Sequence, residues 1–367
     1  MFPMTATGAD LVSIARLRSE IATLARGGEY ALAGSRLLDL ARLDLRVGLR
    51  ADALLRTRQA AELARDSGNL VDELQAELLL ALAAVQAGVA SDGEAAADAV
   101  LLRTSDLPDD IRRPLVTSAY LVRGMASRRA GRLPAARVAL DQCRQRSVLL
   151  GRVDLTALAL AELGLVEAGA GDHAAAAVCF TFARDAFRLG ERFDIARAVD
   201  LLALEAFVAA GRLDEAIALA TDTLRDADQR DDAELGARAA GVLADAHIAA
   251  GDPATAVTAA ADATARAARL AAPISYAVGA RARLRQAALF AEPEARQFHL
   301  EAAVDLAAAS GDAAIVAHLL DAIVAGAVTG TWPPSAWTLV GELARACRAA
   351  GLIRLADMAD AALGELR

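Results

Sequence analysis

Side chains able to do covalent or metal chemistry are few in this chain and stand apart. Cys143, Cys179 and Cys347 form no CxxC pair, which argues against a disulfide or zinc framework and for a reducing compartment. Cys143 and Cys179 fall at core-facing helical spacings and read as small buried hydrophobes. His173, His247, His299 and His318 never share an i, i+4 spacing, so no helix face offers a metal two imidazoles. There is no GxSxG and no HExxH, and no glycine-rich dinucleotide motif beside a strand. All 39 basic Lys/Arg positions are arginine. The absence of lysine excludes a Walker A lysine, a Schiff-base lysine and a kinase-type phosphate lysine. The chain is therefore expected to be no enzyme and to need neither cofactor nor metal.

The elements that carry these residues are helices in a fixed rhythm. Four turns recur every 40 residues, AGRLPAARVAL at Ala130, AGDHAAAAVCF at Ala170, AGRLDEAIALA at Ala210 and AGDPATAVTAA at Ala250. Each places a glycine at a helix end (Gly131, Gly171, Gly211, Gly251) and an alanine five residues on (Ala136, Ala176, Ala216, Ala256). A constant period of this length marks a helical solenoid, in which each repeat packs mainly on its neighbours. Helix ends at Gly131, Gly151, Gly171, Gly190, Gly211, Arg230, Gly251 and Ala271 space paired helices about 20 residues apart. The predicted organisation is a capping helix in residues 1–29, about eight hairpins over residues 30–350, and a capping helix in residues 351–367. Residues 88–110 interrupt the pattern, and the stretch from Val89 to Glu94 is expected to be a solvent-exposed loop.

Composition agrees with an all-α chain. Apolar residues make up 56% with only 4% aromatic, so the core is built of alanine, leucine and valine, and alanine favours both helix and close helix approach. No uninterrupted apolar run is long enough to span a bilayer, and the N-terminal sequence lacks the basic start and apolar core of a signal peptide. A cytoplasmic protein without membrane insertion is expected. With a formal charge of -9 and its arginines interspersed, the chain has no basic stripe for phosphates, which disfavours nucleic acid as partner.

Counted from each inner-turn glycine, a small residue lies seven before (Gly124, Gly164, Ala244), alanine lies five after, and large then small residues lie nine and twelve after, as in Phe180 and Ala183. This pattern resembles the tetratricopeptide repeat. The repeat length resembles the long variant in sensor regions of bacterial signalling ATPases, MalT-like regulators and kinesin light chains. The resemblance implies a right-handed α-solenoid of stacked antiparallel helical hairpins. Arg296 stands where the alanine belongs, and Leu204, Leu284 and Val324 replace the small residue; those repeats are expected to be splayed or differently packed.

The resemblance further implies that the first helix of each hairpin lines a concave groove. The positions facing it are Arg128, Arg129, Glu205, Arg238, Asp245, Arg281, Arg285, His318 and Asp321. Arg238 and Asp245 share a helix face, as do Arg281 and Arg285. Guanidinium groups so placed suit carboxylates, while the same charges also serve to solvate an exposed face. The family's chaperone-docking members use a lysine-containing carboxylate clamp, which a lysine-free chain cannot build. Trp332 and Trp337, beside Pro333 and Pro334, fit either an aromatic anchor for a partner or packing on the adjacent hairpin.

The function expected from these readings is a protein- or peptide-binding scaffold whose partner carries acidic groups. A regulatory sensor working in trans on a signalling ATPase or transcription regulator fits the same features. So does a self-assembling homo-oligomer, since solenoid ends can stack.

Overall fold

A computed structural model describes residues 8–272, 274–332, 335–349 and 351–364, without the side chains of Gly8, Ala9 and Leu11. Residues 1–7 and 365–367 of the expected capping helices, and Pro333 and Pro334 beside Trp332, lie outside the described residues. The chain divides into two compact units, Met1–Val199 and Asp200–Arg367. Helices α1 (Gly8–Arg26), α2 (Tyr30–Arg46), α3 (Arg50–Asp66), α4 (Leu70–Gln86), α5 (Ala90–Arg103), α6 (Asp109–Arg129), α7 (Leu133–Leu149), α8 (Val153–Gly169) and α9 (His173–Leu189) belong to the first. The division falls inside α10 (Phe193–Ala209). The second holds α11 (Leu213–Arg230), α12 (Ala233–Ala249), α13 (Pro253–Ala267), α14 (Ile274–Leu289), α15 (Pro293–Ser310), α16 (Ala313–Val328), α17 (Ala336–Ala349) and α18 (Ile353–Gly364). Among the described residues there is no strand.

Within each unit successive helices joined by short turns pack as antiparallel hairpins. Ala136, Ala176, Ala216 and Ala256 are all fully buried. The apolar contact between the two helices of a hairpin comes from the residue seven before the turn glycine and the one nine after it. In α6/α7 and α8/α9 a glycine meets a large side chain. A Cβ on Gly124 would stand 2.5 Å from Leu140, and one on Gly164 would stand 2.6 Å from the Phe180 ring.

In the second unit the sizes change places. Leu204 and Ala220 lie in one core cluster with neither exposed, so the large residue has moved to the first helix and the small one to the second. Ala244 pairs with Ala260, and Leu284 with Leu300. The facing pairs of these hairpins thus differ in summed volume, from two alanines to two leucines, and each pair is buried, so these repeats are differently packed.

The irregular region also resolves into helix. Val89 caps α5, and Ser91 to Glu94 form its first turn. Gly93 stands five residues after Gly88, where other repeats carry alanine, and a Cβ there would come within 2.4 Å of Val85. The expected loop is thus the start of a helix: Val89, Ser91 and Asp92 are exposed as expected, while Gly93 is buried in the hairpin contact. Within residues 88–110 the rhythm breaks at the joint that follows α5, where Gly88 and Gly131 are separated by 43 residues instead of 40. There α6 gains an extra N-terminal turn, so Pro114 falls inside the helix. In α13 and α15, which start in phase, proline occupies the first helical turn, where it forfeits no hydrogen bond.

Arg296 on α15 extends out of the alanine position. Its guanidinium donates to the carbonyl oxygens of Phe290 and Thr331 and lies 5.9 Å from the Trp332 ring centroid. Trp332 is 8% exposed. Its Nε1–H donates to the Ala322 carbonyl at 3.0 Å, and its ring covers Gly326. Trp337 is half-buried against the same core. For Trp332 the packing alternative holds, because an indole in that position fills the space Gly326 leaves and satisfies its own N–H.

Candidate functional site

Of the nine charged positions expected to face a groove, Arg128 and Arg129 belong to the first unit and the remaining seven to the second. Arg128, in the last turn of α6, donates from Nε to Glu162 of α8 at 2.8 Å, and Glu162 is buried. Arg129 reaches solvent, but the protein around it and then Arg128 push its guanidinium below the ordinary value.

In the second unit the residues come from alternate helices. Arg238 and Asp245 stand on α12, Arg281 and Arg285 on α14, and His318 and Asp321 on α16. Arg285 lies 40 residues from Asp245, and its Nε reaches the two carboxylate oxygens at 2.8 and 2.9 Å. A second guanidinium nitrogen stands 2.8 Å from the same carboxylate. Gly241 makes this possible, since a Cβ there would be 2.6 Å from the Arg285 guanidinium. Arg285 is thus occupied in joining α14 to α12, paired with a residue one repeat away. Arg238 lies 4.0 Å from Glu234, at the outer limit of an ion pair.

Arg281 differs from both. It is half-buried and makes no hydrogen bond or ion pair with any described residue. Surrounding protein lowers its pKa; Glu205 is the strongest opposing group, Arg238 and then Arg285 lower it further, and Asp312 opposes least. The Asp312 carboxylate is already engaged by the amides of Ala314 and Ile315 at the start of α16. His318 reaches solvent, yet it is pushed below its ordinary value by the protein around it, then by Arg281 and Arg285, with Asp245 and Asp321 opposing. The imidazole, Arg281, Arg285 and Asp245 therefore sit in one electrostatic neighbourhood, drawn from three first helices.

Helical-face counting missed the partners that organise this surface. Glu162 beside Arg128, Glu94 beside Arg132, Asp228 beside Arg266 and Asp245 beside Arg285 are 34, 38, 38 and 40 residues away. A search for opposite charges about one period apart finds them. Thiol chemistry has little support: Cys143 and Cys347 are buried, and burial pushes the Cys143 thiol up to about 12. Among the described residues no group of three or more His, Cys, Asp or Glu is placed to hold a metal. No helix among them is long and apolar enough to cross a membrane.

No protein-family model and no curated protein matches the chain. Solved structures do. The apo form of RapI aligns with a TM-score of 0.61 at 10% identity, covering 90% of this chain and 98% of that one. The tetratricopeptide-repeat sensor protein PH0952 from Pyrococcus horikoshii, a signal transduction ATPase with numerous domains, aligns at 0.60 and 12% identity, covering 96% of this chain and 55% of that one. The apo quorum sensor NprR from B. thuringiensis aligns at 0.54 and 13%, covering 94% and 100%. The fold is that of the tetratricopeptide-repeat solenoids. At these identities the likeness is one of fold, and helical repeats of this kind present surfaces on which function is set by individual side chains.

Proposed function

We propose that the chain is a non-enzymatic repeat scaffold that binds a protein or peptide bearing acidic groups, using the first-helix face formed by α12, α14 and α16. The observation that carries this reading is Arg281, a half-buried guanidinium with no anion in contact among the described residues. Setting such a group among protein and beside two further arginines is unfavourable, and an arriving carboxylate offsets that cost with charge-assisted, bidentate hydrogen bonds. Arg285, braced by Asp245, and the His318 imidazole add polar groups on the neighbouring first helices.

A second reading, a regulatory sensor that takes a peptide or small effector on this same face and acts in trans on a signalling ATPase or transcription regulator, draws support from the likeness to NprR and PH0952. One of those is a quorum sensor and the other carries a tetratricopeptide-repeat sensor. Both readings place the work of the chain in the cytoplasm, the compartment in which its unpaired cysteines stay reduced.

The test is affinity capture from the native host, using wild type, Arg281→Gln and the control Arg225→Gln as baits. Arg225 is an exposed arginine on α11, paired only within its own helix. The reading predicts a stoichiometric partner retained by wild type and the control and lost with Arg281→Gln. A partner held equally by all three baits would move the site elsewhere, and recovery of the chain alone would favour self-assembly.

A further inference from the structure

Two second helices of the first unit carry apolar side chains that point away from their own hairpins. On α9, Val178, Phe182 and Leu189 follow one another at i, i+4 and i+11, which sets them on one side of the helix. All three are exposed, Phe182 at 61% and Leu189 at 76%. On α7, one repeat earlier, Val138 and Leu149 occupy the positions of Val178 and Leu189, and they too are exposed. Both helices pack on α8, so the two stripes are neighbours. The hairpin itself does not require them. In the second unit the same positions hold Ala218, Asp222 and Gln229 on α11, and Thr258, Asp262 and Arg269 on α13, so the same hairpins form with small or polar residues there.

We infer that this face of α7 and α9 is a homodimer interface, on which a second copy of the chain packs about a two-fold axis passing close to Phe182. The inference is independent of the binding reading above, which uses first helices of the second unit.

Charge and area select a second copy as the occupant. Arg137, Arg144 and Arg184 flank the stripes, and each is paired within the chain, with Glu167, Asp141 and Asp185. Gln142 and Gln145, between Val138 and Leu149, are uncharged. These arginines therefore offer no unanswered charge to steer an acidic segment onto the face, and another apolar, internally neutralised face complements it. A two-fold axis supplies that match, because it sets the same patch of both copies against itself. Five side chains exposed to this degree present on the order of 500 Å² of apolar surface, near the upper end of what a monomer leaves open. Doubled across the axis, this reaches about 1,000 Å², the size at which specific interfaces begin. Phe182 is the anchor, since an aromatic side chain covered at the centre of an interface carries a large share of its binding energy.

Sedimentation equilibrium of the full chain from about 1 to about 500 µM tests this. Wild type is expected to pass from the mass of one chain to that of two. Phe182→Glu should weaken the dimer at least about tenfold, and Leu189→Ser, a gentler change on the same stripe, should weaken it in the same direction. Both should melt as the wild-type monomer does at low concentration, because the side chains replaced are exposed. Ala218→Glu, which adds the same charge to the corresponding side of α11, should leave the dimer unchanged. A wild type that keeps the mass of one chain throughout would overturn the inference, as would a dimer insensitive to Phe182→Glu and Leu189→Ser. Equal weakening by Ala218→Glu would trace the effect to added charge and reject the face. Masses that climb beyond two chains would replace the closed pair by end-to-end stacking. A chain that stays monomeric but captures a host protein lost with Phe182→Glu would give the face to that protein and end the self-pairing account.

Discussion

At the scale of single residues, the contact between Gly164 and Phe180 is among the tightest in the first unit. A methyl group on Gly164 would stand 2.6 Å from the ring, and Phe180 is itself 2% exposed, with nowhere to retreat. Gly164→Ala is expected to destabilise the chain by roughly 1–3 kcal/mol through overpacking, even though alanine is the better helix former. Thermal or urea unfolding measures it; an unchanged midpoint would contradict the packing described. His299 supplies a pH effect. Its Nδ1 accepts from Arg283 at 3.1 Å, and the ring stacks on Phe290 at 4.9 Å, so the folded imidazole is neutral. Burial first and Arg283 second hold it below its ordinary value of 6.5. The unfolded state takes up the proton more readily, so stability is greatest above pH 6.5 and falls as the pH drops below it, levelling once the depressed value is passed. His299→Gln should flatten the melting temperature through that window relative to wild type. Single residues were legible in the sequence where punctuation placed them: Ala136, Ala176, Ala216 and Ala256 are buried as their spacing required. Arg285 and Asp245 were not legible as a pair, because counting along one helix cannot connect groups a full repeat apart. Trp332 left two readings open in the sequence, and only the packing of Gly326 against it separates them.

At the scale of elements, a hairpin is held by a pair of facing volumes, and the chain fills that space in several ways. Gly164 with Phe180, Leu204 with Ala220, and Leu284 with Leu300 occupy equivalent positions. The substitution at Leu204 therefore looked like a departure when only one helix of the pair was considered, whereas Leu284 faces a second leucine and departs on both. Leu204→Ala is expected to cost about 2–5 kcal/mol, because Ala220 opposite it is too small to fill the cavity. Adding Ala220→Leu should recover part of the loss, with a coupling energy of about 0.5–3 kcal/mol in a double-mutant cycle. Strict additivity would separate the two positions. The joint between α5 and α6 illustrates the converse. Its three extra residues were visible as a break in the rhythm within residues 88–110, and the stretch Val89–Glu94 inside that break was read as a loop. In the fold Gly93 serves as the small residue of a helix contact.

At the scale of the whole molecule, repetition gives the chain a row of equivalent first-helix positions, and function rests on how each is filled. Some of the arginines at these positions are answered internally by acids, as Arg128 by Glu162 and Arg285 by Asp245, and others are not. The central claim is that the face made by α12, α14 and α16 takes a carboxylate-bearing partner at Arg281. Hydrogen–deuterium exchange of the full chain, with and without the captured partner, tests it most directly. The account predicts slowed exchange in segments within 233–249, 274–289 and 313–328, absent in Arg281→Gln. Protection confined to 253–267 and 293–310, the second helices of the same hairpins, would contradict it.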